Sequence, residues 1–224
     1  MTQQIGLLDV ATTPRPALAG CYRTILADPP WNERGAGKVK RGADRHYPLM
    51  TTDAICALPV STWAAPNAHC YVWVTNNFLP DGLRVLAAWG FRYVTKIDWF
   101  KGDLSEAWID AVVTDTGIDD ASRDKLLAEA GAQLQVGLGQ YFRGVTESCL
   151  FGVRGDVEYR TAPSGKRAQG RTGFHASRGE HSVKPEALRQ MAELVSHGPR
   201  LEMFARRAAE GWDLWGNQAP EASA

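Results

Sequence analysis

The chain has 224 residues, 44% of them hydrophobic, and its 25 Lys and Arg balance 25 Asp and Glu. That length suits one substantial α/β core with an insertion rather than two full domains. With no apolar run long enough to cross a bilayer, no basic-then-apolar leader and four scattered cysteines, a soluble, cytoplasmic protein with reduced core thiols and no zinc site is expected.

Residues 1–20, with Thr12-Thr13-Pro14-Arg15-Pro16, lack sustained periodicity and read as a flexible N-terminal arm. Thr24 to Ala27 is a short continuous apolar run that ends on Asp28-Pro29-Pro30-Trp31. Such a run suits a parallel strand covered on both faces, which delivers Asp28 to the carboxyl edge where open α/β sheets bind ligands. Two prolines there fix successive φ angles and leave rigid carbonyls free to accept. An exocyclic amine such as adenine N6 is a poor nucleophile, because its lone pair is delocalised into the ring. A carboxylate and a fixed carbonyl that accept its N–H bonds draw the nitrogen towards tetrahedral geometry, while an aromatic face stacks on the base. Asp28, the Pro29 carbonyl and Trp31 supply those parts; a plain Pro-rich turn is the alternative. Asp28-Pro29-Pro30-Trp31 resembles the catalytic tetrapeptide of the METTL-type adenine-N6 methyltransferases, which use S-adenosylmethionine.

Asn32 to Arg45 is a Gly-rich loop carrying Arg34, Lys38, Lys40, Arg41 and Arg45 against Glu33 and Asp44. A second such loop, Val157 to Glu180, carries Arg160, Lys166, Arg167, Arg171 and Arg178, with Lys184 just beyond it. Basic loops on either side of a catalytic edge suit a polyanion, which makes Arg41, Arg45, Arg167 and Arg171 candidates for phosphate contact; solvated loops are the alternative. The resemblance also makes Tyr47 a candidate wall for the target base, against a role in packing the loop onto the core. Thr51-Thr52-Asp53 starts a short helix limited by Pro59. Cys70 to Val74 reads as a strand, Leu79, Leu83, Leu86 and Trp89 as one helical face stopped by Gly90, and Phe91 to Trp99 as the next strand. The run from Trp73 to Lys101 resembles the same family throughout, with Trp73, Trp89 and Trp99 as core and Lys101, at a strand end, as a candidate for phosphate or substrate contact.

The likeness breaks at 103–136, an acidic segment read as a helical insertion at the mouth of the site, there to meet a protein, to form a dimer surface or simply to be solvated. Gly137-Leu138-Gly139 lacks the third glycine and the preceding strand of a dinucleotide turn, and is rejected as one. From Gly137 to Gly155 the likeness resumes, and it makes Glu147 a substrate or supporting residue. His181 to Glu186 opens a helix whose apolar face is Leu188, Met191, Leu194 and Val195. A lysine just before a helix N-terminus has the wrong sign for the dipole unless it serves an anion, and the resemblance gives Lys184 the cofactor carboxylate. It gives Asp28 the cofactor's cationic end. Arg200 to Arg206 is a buried strand. By resemblance Phe204 and Arg206 flank the cofactor nucleoside, and Asn217 and Gln218 hydrogen-bond it.

The resemblance covers roughly Cys21 to Phe100 and Gly137 to Gln218. It implies a Rossmann-like α/β methyltransferase domain over 21–218, with a mostly parallel sheet, a catalytic motif preceding the cofactor strand, and a tail at 219–224. The expected reaction is direct transfer of a sulfonium methyl to adenine N6, with DNA as the first choice of polymer and RNA as the second. A homodimer or a partner subunit fits the absence of a separate recognition domain. A catalytically silent nucleic-acid-binding subunit is the competing class, weakened by the presence of Asp28, Lys184, Asn217 and Gln218 together.

Overall fold

The computed structural model describes residues 16, 20–32, 49–102, 141–142, 144–179, 183–217 and 219. Almost all of the arm, Arg41, Arg45, Tyr47, the acidic segment 103–136, Gln218 and most of the tail lie outside them. In chain order the elements are β1 (Tyr22–Ala27), α1 (Thr52–Cys56), α2 (Val60–Trp63), β2 (Ala64–Val74), α3 (Leu79–Ala88), β3 (Arg92–Lys101), β4 (Thr146–Arg154), β5 (Gly173–Ala176), α4 (Glu186–Val195), β6 (Arg200–Met203) and β7 (Asp213–Trp215). Among the described residues no helix is long and apolar enough to cross a membrane.

The seven strands form one sheet in the order β5-β3-β4-β2-β1-β6-β7. All neighbours pair parallel except those of β4, which runs antiparallel to β2 and β3. From β1 the chain moves outwards to β2 on one side, and from β6 it moves to β7 on the other. The carboxyl ends of β1 and β6 therefore bound a crevice at the point where the winding diverges, the usual ligand site of an open α/β sheet.

Both faces are covered, and this is why β1 reads as an unbroken apolar run. Ile25 and Ala27 face a core built from α1, α2 and α3, including Ile55, Val60, Val85, Leu86 and Trp89. Leu26 faces the other way, with Tyr71, Trp73, Trp99 and Cys149, against Leu188 and Ala192 of α4. Trp73, Trp89 and Trp99 are buried, as the resemblance implied. Thr51 caps α1 as expected, its hydroxyl accepting from Ala54 N at 3.2 Å.

Several expectations need correction. The inward face of α3 is Gly82, Val85 and Leu86, while Leu83 is 39% exposed. Gly82 lies so close to β2 that a Cβ would stand 2.4 Å from Val74 Cγ1, a contact that hydrophobic spacing does not register. Likewise α4 buries Leu188 and Ala192, and Leu194 points outwards. Cys70 and Cys149 are buried, but Cys21 is exposed and Cys56 half-buried. The strand at 200–206 ends at Met203. The segment 157–180 is not one loop: it contains β5 and, before it, a small hairpin bridged between Thr161 and Arg167.

Candidate active site

Strand alternation decides which charges meet. Asp28 lies two residues after Leu26, Glu147 two before Cys149 and Lys101 two after Trp99, so all three share the α4 face of the sheet. Because β4 is antiparallel, its first residues stand at the same edge as the last residues of β1 and β3. The turn before α4 then brings Lys184 over that edge. Its Nζ is 3.0 Å from Asp28 Oδ1 and 3.3 Å from Glu147 Oε2. Lys101 Nζ is 2.7 Å from Glu147 Oε1, and Arg206 Nη2 is 3.2 Å from Asp28 Oδ2. The floor beneath the two ammonium groups is indole: Lys184 Nζ stands 5.6 Å from the centroid of Trp73 and Lys101 Nζ 5.4 Å from that of Trp99. Aromatic faces stabilise cations that are partly removed from water.

Burial works against the charge of Glu147, but Lys184 and Lys101 outweigh it and hold the carboxyl below its ordinary range. Glu202 goes the other way. Burial and the nearby Asp28 raise it, although Arg189 Nη2 of α4 is 3.0 Å from its Oε2, and that oxygen makes no well-aligned hydrogen bond. The sequence reading missed Glu202; its signal was an acid inside the buried strand 200–203. It also missed Thr75, one residue beyond β2, whose buried Oγ1 has no hydrogen-bond partner.

The tetrapeptide differs in detail from expectation. Trp31 is only 6% exposed, donates its indole N–H to Trp73 O at 2.9 Å and stacks on Phe78 at 5.4 Å. It is therefore a buried anchor for the turn and not an open platform for a base. The carbonyls of Pro29 and Pro30 are not wholly free either. Each accepts one backbone bond at 2.8 Å, from Trp31 N and Met50 N, and keeps its second lone pair.

The end of β6 is set by β7. Trp215 O accepts from Phe204 N at 2.6 Å and from Ala205 N at 3.3 Å, which turns Phe204 to φ +62°, and the two rings meet edge-on at 5.6 Å. Gly216, at φ +145°, permits this approach; a Cβ there would lie 3.0 Å from Phe204 Cα. Asn217 follows, exposed. Lys101, Glu147, Lys184, Asp28 and Arg206 thus form one connected group, with Phe204 and Asn217 along its β6 side. Arg167 is not brought to it. Residues 155–170 leave from the other end of β4, where Asp156 N donates to Asn67 Oδ1 at 3.0 Å, and dock on the end of α4 through Arg160.

Three cations face two acids in the connected group. A carboxylate entering there would meet these cations, and Thr75, one residue beyond β2, brings a buried hydroxyl to the same edge. An amino-acid nucleoside such as S-adenosylmethionine carries such a carboxylate. The sheet order, the crevice and this donor set define a Rossmann-like methyltransferase fold.

The match to known families makes this specific. The MT-A70 family model matches residues 22–128 and 123–218. The chain belongs to the MT-A70 family, and is thereby placed among the S-adenosylmethionine-dependent N6-adenine methyltransferases. It is 23% identical to the Type II methyltransferase M.MunI of a Mycoplasma, over 89% of this chain and 78% of that protein. It is 24% identical to the human N(6)-adenine-specific methyltransferase METTL4, over 88% of this chain and 37% of that one. With the human N(6)-adenosine-methyltransferase catalytic subunit METTL3 the identity is 22%, over 90% and 29%. The chain thus spans most of the bacterial relative but only 37% and 29% of these longer ones.

Proposed function

We propose that this chain methylates adenine N6 in DNA within the cytoplasm, with Asp28, Pro29, Lys184, Phe204, Arg206, Asn217 and Gln218 as its working residues. The observation that carries the reading is the ion group of Asp28, Lys184, Glu147 and Arg206 at the crevice between β1 and β6. DNA is favoured because the chain accounts for 78% of the compact M.MunI but 29% of METTL3. RNA is the second reading, supported by relatives named as adenosine methyltransferases. A partner subunit or a second copy of the chain would supply target recognition.

Bound S-adenosylmethionine supplies an electrophilic methyl on a sulfonium. Lys184 holds a carboxylate, with Glu147 and Lys101 behind it to fix its position. Arg206, Asn217 and Gln218 take the nucleoside along the end of β6, and Phe204 provides an apolar wall. Asp28 and the second lone pair of the Pro29 carbonyl accept the hydrogens of the adenine amine, which localises its lone pair for attack. Trp31 and Pro30 hold this turn rigid, so the acceptors need no reorganisation during reaction. Tyr47 is proposed as a wall of the base pocket, and Arg41 and Arg45 as phosphate contacts.

The test is transfer of labelled methyl to single- and double-stranded DNA and RNA, followed by nucleoside mass spectrometry. N6-methyladenine in DNA that disappears in Asp28→Ala is the expected result. Retained transfer in that variant would overturn the role of Asp28, and modification of RNA alone would move the substrate to the second reading.

A further inference from the structure

The hairpin before β5 stands at the opposite end of the sheet from Asp28, and its residues are not those of a slack loop. Ala168 N donates to Arg160 O and Ala162 N to Lys166 O, both at 2.8 Å, so its two arms are hydrogen-bonded to each other. Arg160 Nη1 donates to the carbonyls of Glu193 and Ser196 at the last turn of α4, a cation on the negative end of a helix, and Ala168 is buried beneath. His197 Nε2 meets Glu158 O at 3.0 Å. A turn pinned at this many points presents its outer side chains in fixed places.

What it presents is Tyr159, 65% exposed, with the Arg167 guanidinium 4.2 Å from the ring centroid. That cation covers one face of the ring, and the residue stays largely exposed. Lys166 on the hairpin and Arg171 just after it are exposed, and between 156 and 172 four cations stand against two acids. An exposed aromatic ring backed by a guanidinium, on a segment rich in cations, is suited to an unstacked base and its phosphates.

We propose that this hairpin is a second nucleic-acid contact, outside the catalytic crevice, on which the strand flanking the target adenine rests: one base on Tyr159, with phosphates along Lys166, Arg167 and Arg171. The proposal rests on the reading that the substrate is a nucleic acid. Asn67, which anchors the hairpin's start, and Trp73, level with the tetrapeptide, are both on β2. The six residue steps from one to the other correspond to roughly 20 Å at the rise of a strand, or about six phosphates at the spacing along one strand of a duplex. An oligonucleotide of about half that length is too short to join the two places, whereas one several times longer than the span reaches both.

The experiment is fluorescence anisotropy with labelled oligodeoxyadenylate of about 3 and about 24 nucleotides, on the wild type, Tyr159→Ala, Tyr159→Phe and Lys166→Gln. Calorimetry of S-adenosylmethionine binding and methyl transfer are measured alongside. Losing one stacked base should weaken the longer oligomer about tenfold in Tyr159→Ala, leaving the shorter one and cofactor affinity unchanged. Tyr159→Phe should bind like wild type, and Lys166→Gln should lower the salt dependence by about one counterion. If wild type methylates adenine but Tyr159→Ala binds the longer oligomer equally well, the hairpin is a solvated turn and only this inference falls. Equal weakening on both lengths would also overturn it, by placing Tyr159 within the crevice contact. If the wild type neither binds nor methylates either oligomer, nor any RNA, this inference and the proposed function fall together.

Discussion

Glu147→Gln is the most informative single change, because it removes one charge from the middle of the ion group while keeping the side chain's shape. Lys101 and Glu147 have side chains only 7% and 16% exposed and meet at 2.7 Å. Lys184 would keep Asp28 at 3.0 Å, so the loss falls on Lys101, a buried ammonium with no other anion among its described partners. Removing one member of a buried pair costs about 3 to 5 kcal/mol, chiefly because the survivor stays desolvated and uncompensated. Taking the lower end, about 3 kcal/mol, and ~2–4 °C per kcal/mol for a chain of this size, the melting temperature should fall by roughly 6–12 °C. The double variant Lys101→Met, Glu147→Gln should recover most of that, since an apolar side chain over Trp99 needs no counterion. The pH dependence supplies an internal check. A carboxyl held low contributes stability that is present above its unfolded range and lost as pH falls through its folded value, so the variant's penalty should shrink in acid. The assay is thermal and urea unfolding of the four-member cycle at neutral and acid pH. A single variant within 1 kcal/mol of wild type, or a double variant no more stable than the single, would refute the account.

Two further outcomes follow from features away from that pair. His69 is buried at the other end of the sheet, its Nδ1 2.8 Å from Ser196 Oγ, which also meets Tyr71 OH at 2.7 Å. Burial, with His197 and Arg23 nearby, lowers it from 6.5 to about 4. The unfolded chain then takes the proton first, so stability is intact above pH 6.5 and declines by roughly 3 kcal/mol as pH falls towards 4. His69→Asn should flatten that slope in urea titrations, and an unchanged slope would show that other groups set it. Gly216→Ala should impair cofactor binding measured by calorimetry, because its Cβ would press on Phe204 Cα from a backbone at φ +145° that L residues rarely adopt. A cost on the order of 1–3 kcal/mol is expected, and wild-type affinity with wild-type stability would remove Phe204's conformation from the argument.

The strand that ends on Asp28 was legible because β1 carries its own signals, an apolar run cut off by Asp28 and two prolines. The buried tryptophans were legible too, through continuous likeness to a family. Face assignments on α3 and α4 failed at Leu83 and Leu194 because the inward positions include Gly82 and Ala192, small residues that a count of large apolar side chains overlooks. β5 escaped because Gly173–Ala176 is a short edge strand with no alternation to read. The role expected of Trp31 required knowing that Trp73 O and Phe78 would claim its edge and face. The place of Arg167 depended on Arg160 finding the carbonyls of α4, a contact between residues more than 30 positions apart that no local pattern encodes.

The antiparallel course of β4 has one more consequence. Lys101 N donates to Val145 O at 2.9 Å, so the chain departing from β3 at 102 and the chain arriving at β4 are already joined at the sheet. Whatever lies between them closes a loop whose ends are fixed by the strands, and doubling its length costs only about 0.6 kcal/mol of closure entropy. The region 103–144 is thus a cassette position. A change of length there costs the sheet little, because the register of β3 and β4 is held by their own pairing. Variation in that one stretch can redirect what meets the crevice while the sheet that builds it stays the same.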